Sequence, residues 1–307
     1  MKNFDVLCIA DMCVDLIVSG NARPQWNQVE QLVGDYHLEL GGSANIFAAQ
    51  FSKLGGKAGV LGAVGEDAFG DFALQRLSTL GVDASLVQRK SNLKTGLGVA
   101  LCEGDDRAIL TYAGSIDATS PRDLSTRLLE RTRHWHIASY FLLEQLREYW
   151  PRWLQLAKEH GVTVSLDTNF DPQDRWDGVL DLLPLVDIFL PNEREARATA
   201  KNENLTEAAQ YLASRGPLVV VKCGRDGALC VTPSGEEYSI STTPIESFVD
   251  SIGAGDCFDA GFLRGHLSSW PLEKSLELAC RCGAASTRAA GGIASQLQET
   301  IGEIVLA

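Results

Sequence analysis

The chain has 307 residues, 40 acidic side chains against 27 basic ones, and a formal charge of −13, room enough for one large α/β domain or two modest ones. That balance supplies no clustered Lys and Arg for nucleic acid or an anionic membrane surface, and no apolar run reaches membrane-spanning length. Met1–Asp5 lacks a signal-peptide layout, and the eight cysteines lack zinc-ligand or CxxC spacing, so a cytoplasmic protein with reduced thiols is expected.

In chain order, short continuous apolar runs occur at Val6–Ala10, Ala58–Val64, Trp135–Ala138, Val162–Leu166, Val186–Leu190 and Leu218–Val221. Such runs read as strands buried on both faces of a parallel sheet. Between them, Phe69–Leu80, Glu144–His160 and Leu205–Arg215 are amphipathic and long enough for helices. Strand alternating with helix predicts an α/β fold with ligands beyond the C-terminal strand ends. With no Pro- or Ser-rich linker and no repeat, a single domain over residues 1–307 is the simpler reading. Two segments break the rhythm. Ser19–Leu40 is polar and irregular, whereas Gly96–Leu101 and Ala108–Tyr112 are β-rich around the turn-like Glu103-Gly104-Asp105-Asp106.

Two glycine-rich stretches carry the chemistry. Gly41-Gly42-Ser43-Ala44-Asn45 opens a helix-like run closing on Gly55-Gly56, and Val60–Gly65 and Glu66–Gly70 follow it. Asp250-Ser251-Ile252-Gly253-Ala254-Gly255-Asp256 runs into the apolar pattern of Cys257, Phe258, Ala260, Gly261, Phe262 and Leu263. Small residues there leave consecutive N–H groups bare where a helix begins, and with the helix dipole these donors favour an anion. Asp256 sits beside that hole, where a carboxylate could take the proton of a hydroxyl attacking a phosphoryl group. An Asp in a first helical turn is also an ordinary cap, and a Gly-rich turn ordinary punctuation. Both glycines together, an acid at each end, and the small Ala260 and Gly261 favour phosphoryl transfer. No Gly-x-x-x-x-Gly-Lys-Ser/Thr occurs and no Gly-x-Gly-x-x-Gly follows the first strand, which disfavours a P-loop NTPase and a Rossmann dehydrogenase.

From Gly41 through Gly70 and from Asp250 through Leu263, the chain resembles the two signatures of the ribokinase-like (PfkB) family of carbohydrate and nucleoside kinases, in the family's order, and the likeness extends over nearly the whole length. The resemblance implies a central, mostly parallel sheet flanked by helices, with a small β-sheet lid over the substrate from segments near 16–40 and 95–115. In several family members the lid also forms a dimer contact, so a homodimer through it is admitted. It further implies ATP and Mg²⁺ as cofactors and a small sugar, sugar-like compound or nucleoside as partner.

Carried residue by residue, the resemblance makes Asp256 the base and Gly253, Ala254 and Gly255 the anion hole. Asp15 and Asp11 become candidates for substrate hydroxyls, with Asp11 the better candidate for a purely structural cap, and Gly41, Gly42 and Asn45 form the substrate floor. Asn192 and Glu195, in Pro191-Asn192-Glu193-Arg194-Glu195, match an Asn-x-x-Glu motif tied to Mg²⁺ and phosphate handling, with Asn192 on the nucleotide and Glu195 on Mg²⁺ through water, although the pair also reads as a helix cap with a capping-box glutamate. Lys222, Gly224 and Gly227 resemble a nucleotide turn that fits a plain hairpin equally well, and Cys282 and Ala285 fall in the segment that walls the adenine. Asp250, Ile252 and Gly291 mark a monovalent-cation loop, so potassium is admitted as a further cofactor. The roles of Asp167, Asn169 and Arg175 stay open. The leading expectation is an ATP-dependent sugar kinase; the alternatives are a nucleoside kinase of the same fold, with Phe4, Tyr36, Tyr112, Tyr140 and Phe141 as available aromatics, and a non-catalytic sugar- or nucleotide-binding regulator.

Overall fold

The computed structural model describes residues 2–103, 106–242 and 248–299, so Gly104 and Asp105 of the expected turn lie outside the described residues. The strands are β1 (Phe4–Ile9), β2 (Cys13–Ser19), β3 (Asp35–Gly41), β4 (Ala58–Gly65), β5 (Asp83–Lys90), β6 (Gly96–Glu103), β7 (Asp106–Tyr112), β8 (Thr132–Ile137), β9 (Thr163–Leu166), β10 (Ile188–Phe189), β11 (Leu218–Lys222), β12 (Ala228–Val231) and β13 (Glu237–Ile240). The helices are α1 (Ser43–Lys53), α2 (Ala68–Thr79), α3 (Thr126–Arg131), α4 (Glu144–Arg147), α5 (Trp150–Glu159), α6 (Val179–Leu182), α7 (Glu193–Ala200), α8 (Leu205–Ala213), α9 (Ala254–His266) and α10 (Leu272–Ser286).

The large sheet runs β13-β12-β11-β10-β9-β8-β1-β4-β5, parallel from β11 to β5, with the β12–β13 ribbon antiparallel at one edge. A small sheet, β3-β2-β6-β7, pairs β2 and β6 in parallel and its outer strands antiparallel. Strand β1 explains the continuous apolar runs: successive side chains enter opposite layers, Val6 and Cys8 joining Phe47 and Phe258, Leu7 and Ile9 joining Trp135 and Trp150. Each fully buried Leu or Ile there is worth about 1.5–3 kcal/mol relative to exposure.

Three expectations shift. The run Glu144–His160 is two helices, because Pro151 falls in the first turn of α5, where it starts a helix and cannot continue one. Strand β2 begins at Cys13, ahead of the expected lid segment, and residues 20–34 carry no strand. Strand β5 was not among the predicted strands, since an edge strand with alternating burial that ends on Arg89 and Lys90 offers no apolar run. All eight cysteines are unpaired. Among the described residues no helix is long and apolar enough to cross a membrane.

After α10 the chain returns to α1. Gln296 Nε2 donates to Ile46 O (3.0 Å), Lys53 Nζ to Ile293 O (2.9 Å), and Gln50 exchanges two bonds with the backbone of Leu297 (2.8 and 3.1 Å).

Candidate active site

The C-terminal ends of the parallel strands converge on the α9 N-terminus. Asp11 follows β1, Ser139 follows β8, Asp167 follows β9, Asn192 follows β10, and Lys222 ends β11. Gly253 turns the chain into α9 at φ 72°, and a Cβ there would lie 2.6 Å from Gly292 Cα and 2.9 Å from Ile46 Cγ2. Two backbones touch at this point, so glycine alone fits. Among the described residues no backbone acceptor takes the N–H of Gly253, Gly255 or Asp256, while Ala254 N–H makes a long 3.3 Å bond to Ser251 O. Bare donors at the positive end of a 13-residue helix form a site for negative charge.

Asp256, in the first turn of α9, is 8% exposed. Burial, then the charge of Asp167, pushes its carboxyl well above the usual range, while Lys222 and a hydrogen bond from Ser43 pull it back. Lys222 Nζ lies 2.8 Å from Asp167 and 3.2 Å from Asp259. Burial alone would lower the Lys222 pKa; the charges of Asp167, Asp259 and Glu195 reverse that and hold the ammonium firmly protonated. Burial raises Asp259, while Lys222 lowers Asp167 against its own burial. A Cβ on Gly255 would stand 3.6 Å from Lys222 Nζ, which puts this cation directly behind the bare amides.

Helix α1 begins at Gly42 (φ 85°), which has no side chain to cap it. Asp11 supplies the cap from a distance, accepting from Ser43 N (3.0 Å), Ala44 N (3.1 Å) and Ser139 Oγ (2.6 Å). Of the two expected acidic acceptors, Asp11 is therefore engaged in holding α1. Asp15 lies in a glycine slot, where a Cβ on Gly41 would approach its carboxylate to 2.6 Å and one on Gly98 to 2.3 Å. Burial, followed by Asp11 and Asp250, raises Asp15 to about 7 against the opposing charge of Arg107. Asn45 is fully buried, its Nδ2 donating to Gly41 O (2.8 Å) and its Oδ1 left without a partner, a vacancy that suits a hydroxyl donor.

Asn192 and Glu195 make a complete capping box at the start of α7, with Glu195 N to Asn192 Oδ1 at 2.9 Å and Asn192 N to Glu195 Oε2 at 2.8 Å. Glu195 is buried, and that burial together with Asp167 raises it to about 7. Asp250 staples two loops, accepting from Ile252 N and Gly291 N at 3.0 Å each, and Arg107 of the small sheet reaches it at 3.4 Å.

On the other side of the α9 N-terminus lies a cavity of about 640 Å³, walled by Lys222, Gly224 and Gly227 and floored by Ala254, Gly255 and Phe258. Helix α10 gives it Cys280, Gly283 and Ala284, with Thr287 at its C-cap, one face at helical spacing that does not include the expected Cys282 and Ala285. Cys282 faces α9 instead, its Sγ 2.9 Å from where a Cβ on Gly261 would lie. Gly227 is held by its fold, since a Cβ at its φ of 98° would meet Ile240 O at 1.9 Å. Asp256, Asn192 and Glu195 do not line this cavity.

Sequence reasoning missed Ser139, Asp259 and the part played by Ser43. A charged residue inside an otherwise apolar helix face could have pointed to Asp259; Ser139 has no local signal beyond its place after a buried strand.

A family profile described as "pfkB family carbohydrate kinase" matches residues 3–299. An ATP-dependent ribose-1-phosphate kinase of Halopiger xanaduensis is 33% identical over 80% of this chain and 79% of its own. A 5-dehydro-2-deoxygluconokinase of Geobacillus thermodenitrificans is 26% identical over 90% of this chain and 85% of its own. Among solved structures, an E. coli protein in complex with ATP and Mg²⁺ superposes with a TM-score of 0.86 at 23% identity, covering 99% of this chain and 98% of that one.

Proposed function

The chain belongs to the pfkB family of carbohydrate kinases, phosphotransferases that act on sugar hydroxyls, and from that premise we propose that it moves the γ-phosphoryl group of ATP to a hydroxyl of a small sugar or sugar-like acceptor, with Asp256 as base and the amides of Gly253–Gly255 as the anion hole. The observation that carries this reading is the α9 N-terminus itself: bare amides, an adjacent and barely exposed carboxylate, and a buried cation behind them.

Asp256 accepts the proton of the attacking hydroxyl, and its raised pKa makes it a stronger base once ionised. The open N–H groups meet the charge spreading over the transferring group, and a fixed donor of this kind is worth about 10²- to 10³-fold in rate. Asp15 and Asn45 would hold acceptor hydroxyls. The cavity bounded by Gly224, Gly227, Gly283 and Ala284 suits a flat adenosine, because small residues admit it against backbone. Glu195 and Asn192 would hold Mg²⁺ through water: both carboxylate oxygens already accept from Asn192, yet each keeps a lone pair. Held there, Mg²⁺ would supply positive charge against the ATP phosphates. A monovalent cation is proposed where Asp250 staples its loops, to be tested by activity with and without potassium.

The test is ATP consumption over pentoses, hexoses, ketoses, sugar acids and nucleosides, run beside Asp256→Asn. Turnover with a sugar class, lost in the variant while ATP still binds, is the expected result. Turnover with nucleosides alone would overturn the acceptor assignment.

A further inference from the structure

Resting on the α9 N-terminus as the anion hole, we propose that Arg107 is a positioning residue of the reaction: it straps the small sheet, which carries Asp15, to the loop that leads into the bare amides, so that acceptor and phosphoryl sites keep one fixed relation. Arg107 Nη1 lies 3.0 Å from Ser251 Oγ and 3.4 Å from Asp250 Oδ1. Strand register puts this guanidinium on the acceptor side. Asp15 stands opposite Gly98, and Cys102, an even step further along β6, stands opposite Arg107. Opposed residues and every second residue along a strand share one face, so Asp15 and Arg107 project from the same face of the small sheet. Among the described residues no other hydrogen bond joins β6 or β7 to residues 248–253.

What Arg107 grips is the root of the anion hole. Asp250 accepts from Ile252 N and Gly291 N at 3.0 Å each, and so joins the loop before Gly253 to the segment after α10. Gly253 nests on that same segment, since a Cβ on it would lie 2.6 Å from Gly292 Cα. Ser251 O in turn accepts the long bond from Ala254 N–H. A shift of Asp250 and Ser251 would therefore move the first amides of α9. The side chain of Asp250 is 10% exposed and that of Arg107 37%, and a pair so placed adds little to folding stability. Its effect lies in where it holds two segments. The charge of Arg107 also opposes the burial that raises the Asp15 carboxyl.

The experiment reads kcat, both KM values and amide hydrogen exchange for wild type, Arg107→Met, Arg107→Lys, Ser251→Ala, the Arg107→Met/Ser251→Ala double variant and Asp256→Asn. Misplacement by about 1 Å costs about 10²-fold in rate, so Arg107→Met should lower kcat by about 10- to 100-fold and raise acceptor KM, with KM for ATP within about twofold of wild type. Arg107→Lys keeps a cation with several donors and should recover kcat to within about threefold. Ser251→Ala should lower kcat on its own and add nothing in the Arg107→Met background. The amides of Ile252 and Gly291 should exchange at least about tenfold faster in Arg107→Met, while those of β6 and β7 keep their wild-type rates. Unchanged kcat, unchanged exchange at those two amides, or losses that add in the double variant each overturn the inference. Exchange is read without turnover, which separates this inference from the kinase reading beneath it. If no acceptor turns over, or Asp256→Asn retains turnover within about tenfold, that reading falls, whereas faster exchange at Ile252 and Gly291 still upholds the strap. Should Arg107→Met disturb β6 and β7, exchange at the same two amides in Ser251→Ala decides the matter.

Discussion

The two sides of the α9 N-terminus are built from opposite materials. Towards α1 lies a hollow made of side chains, in which Asp11, Ser43, Ser139 and Asn169 are joined by hydrogen bonds beside Asp256. Towards α10 lies a cavity made largely of backbone and small residues, with Gly224, Gly227, Gly255, Gly283 and Ala284 in its walls. On the proposed reading the hollow would select by functional group, so removing one group should cripple it, and the cavity would select by shape, so adding atoms should block it.

That contrast can be broken in order of expected size. Asp256→Asn should lower kcat more than about 10³-fold, about 4 kcal/mol, while ATP affinity measured by calorimetry stays within about twofold. Parallel losses of both would mean that the two sides are not separable. Lys222→Met removes the cation shared by Asp167 and Asp259 and should cost about 3–5 kcal/mol of folding stability in denaturant titration. A variant as stable as wild type would mean those acids are both neutral in the fold. Gly283→Leu adds a side chain to the cavity wall, and the first atom alone would stand 3.1 Å from Ala254 O. KM for ATP should rise at least about tenfold with little change in acceptor KM; an unchanged ATP KM would put the nucleotide elsewhere.

The smallest effect concerns pH. Asp15, raised to about 7, is neutral below that value and ionised above it. Because the carboxylate is the better acceptor for sugar hydroxyls, acceptor KM should fall by up to about tenfold between pH 6 and pH 8. Asp15→Asn should flatten that dependence. A wild-type KM that rises with pH would reverse the role given to Asp15.

How much of this was legible in the sequence follows from the same contrast. The parallel strands were readable because burial on both faces leaves long apolar runs, and the α9 loop was readable because two glycines and an acid are a local signal. The Asp11–Ser139–Asn169–Ser43 contacts were not, since each residue alone looks like turn or cap chemistry and their meeting depends on which strands lie side by side. Helix α10 shows a different limit. Its exposed stripe of Glu273, Glu277 and Arg281 fixes the outward face, but the small residues opposite do not say which of them meet α9 and which line the cavity; Cys282 faces α9, while Cys280, Gly283, Ala284 and Thr287 line the cavity. Pro151 could have been read correctly, as its effect on α5 is purely local.

The clasp between residues 293–297 and α1 bears on how the enzyme matures. Helix α1 leaves the ribosome early, yet the carbonyls and amides that hold it, together with the Gly292 backbone against which Gly253 nests, are synthesised about 240 positions later. Anchoring α1 is thus a late event in biogenesis, completed only once residues 292–297 have been made.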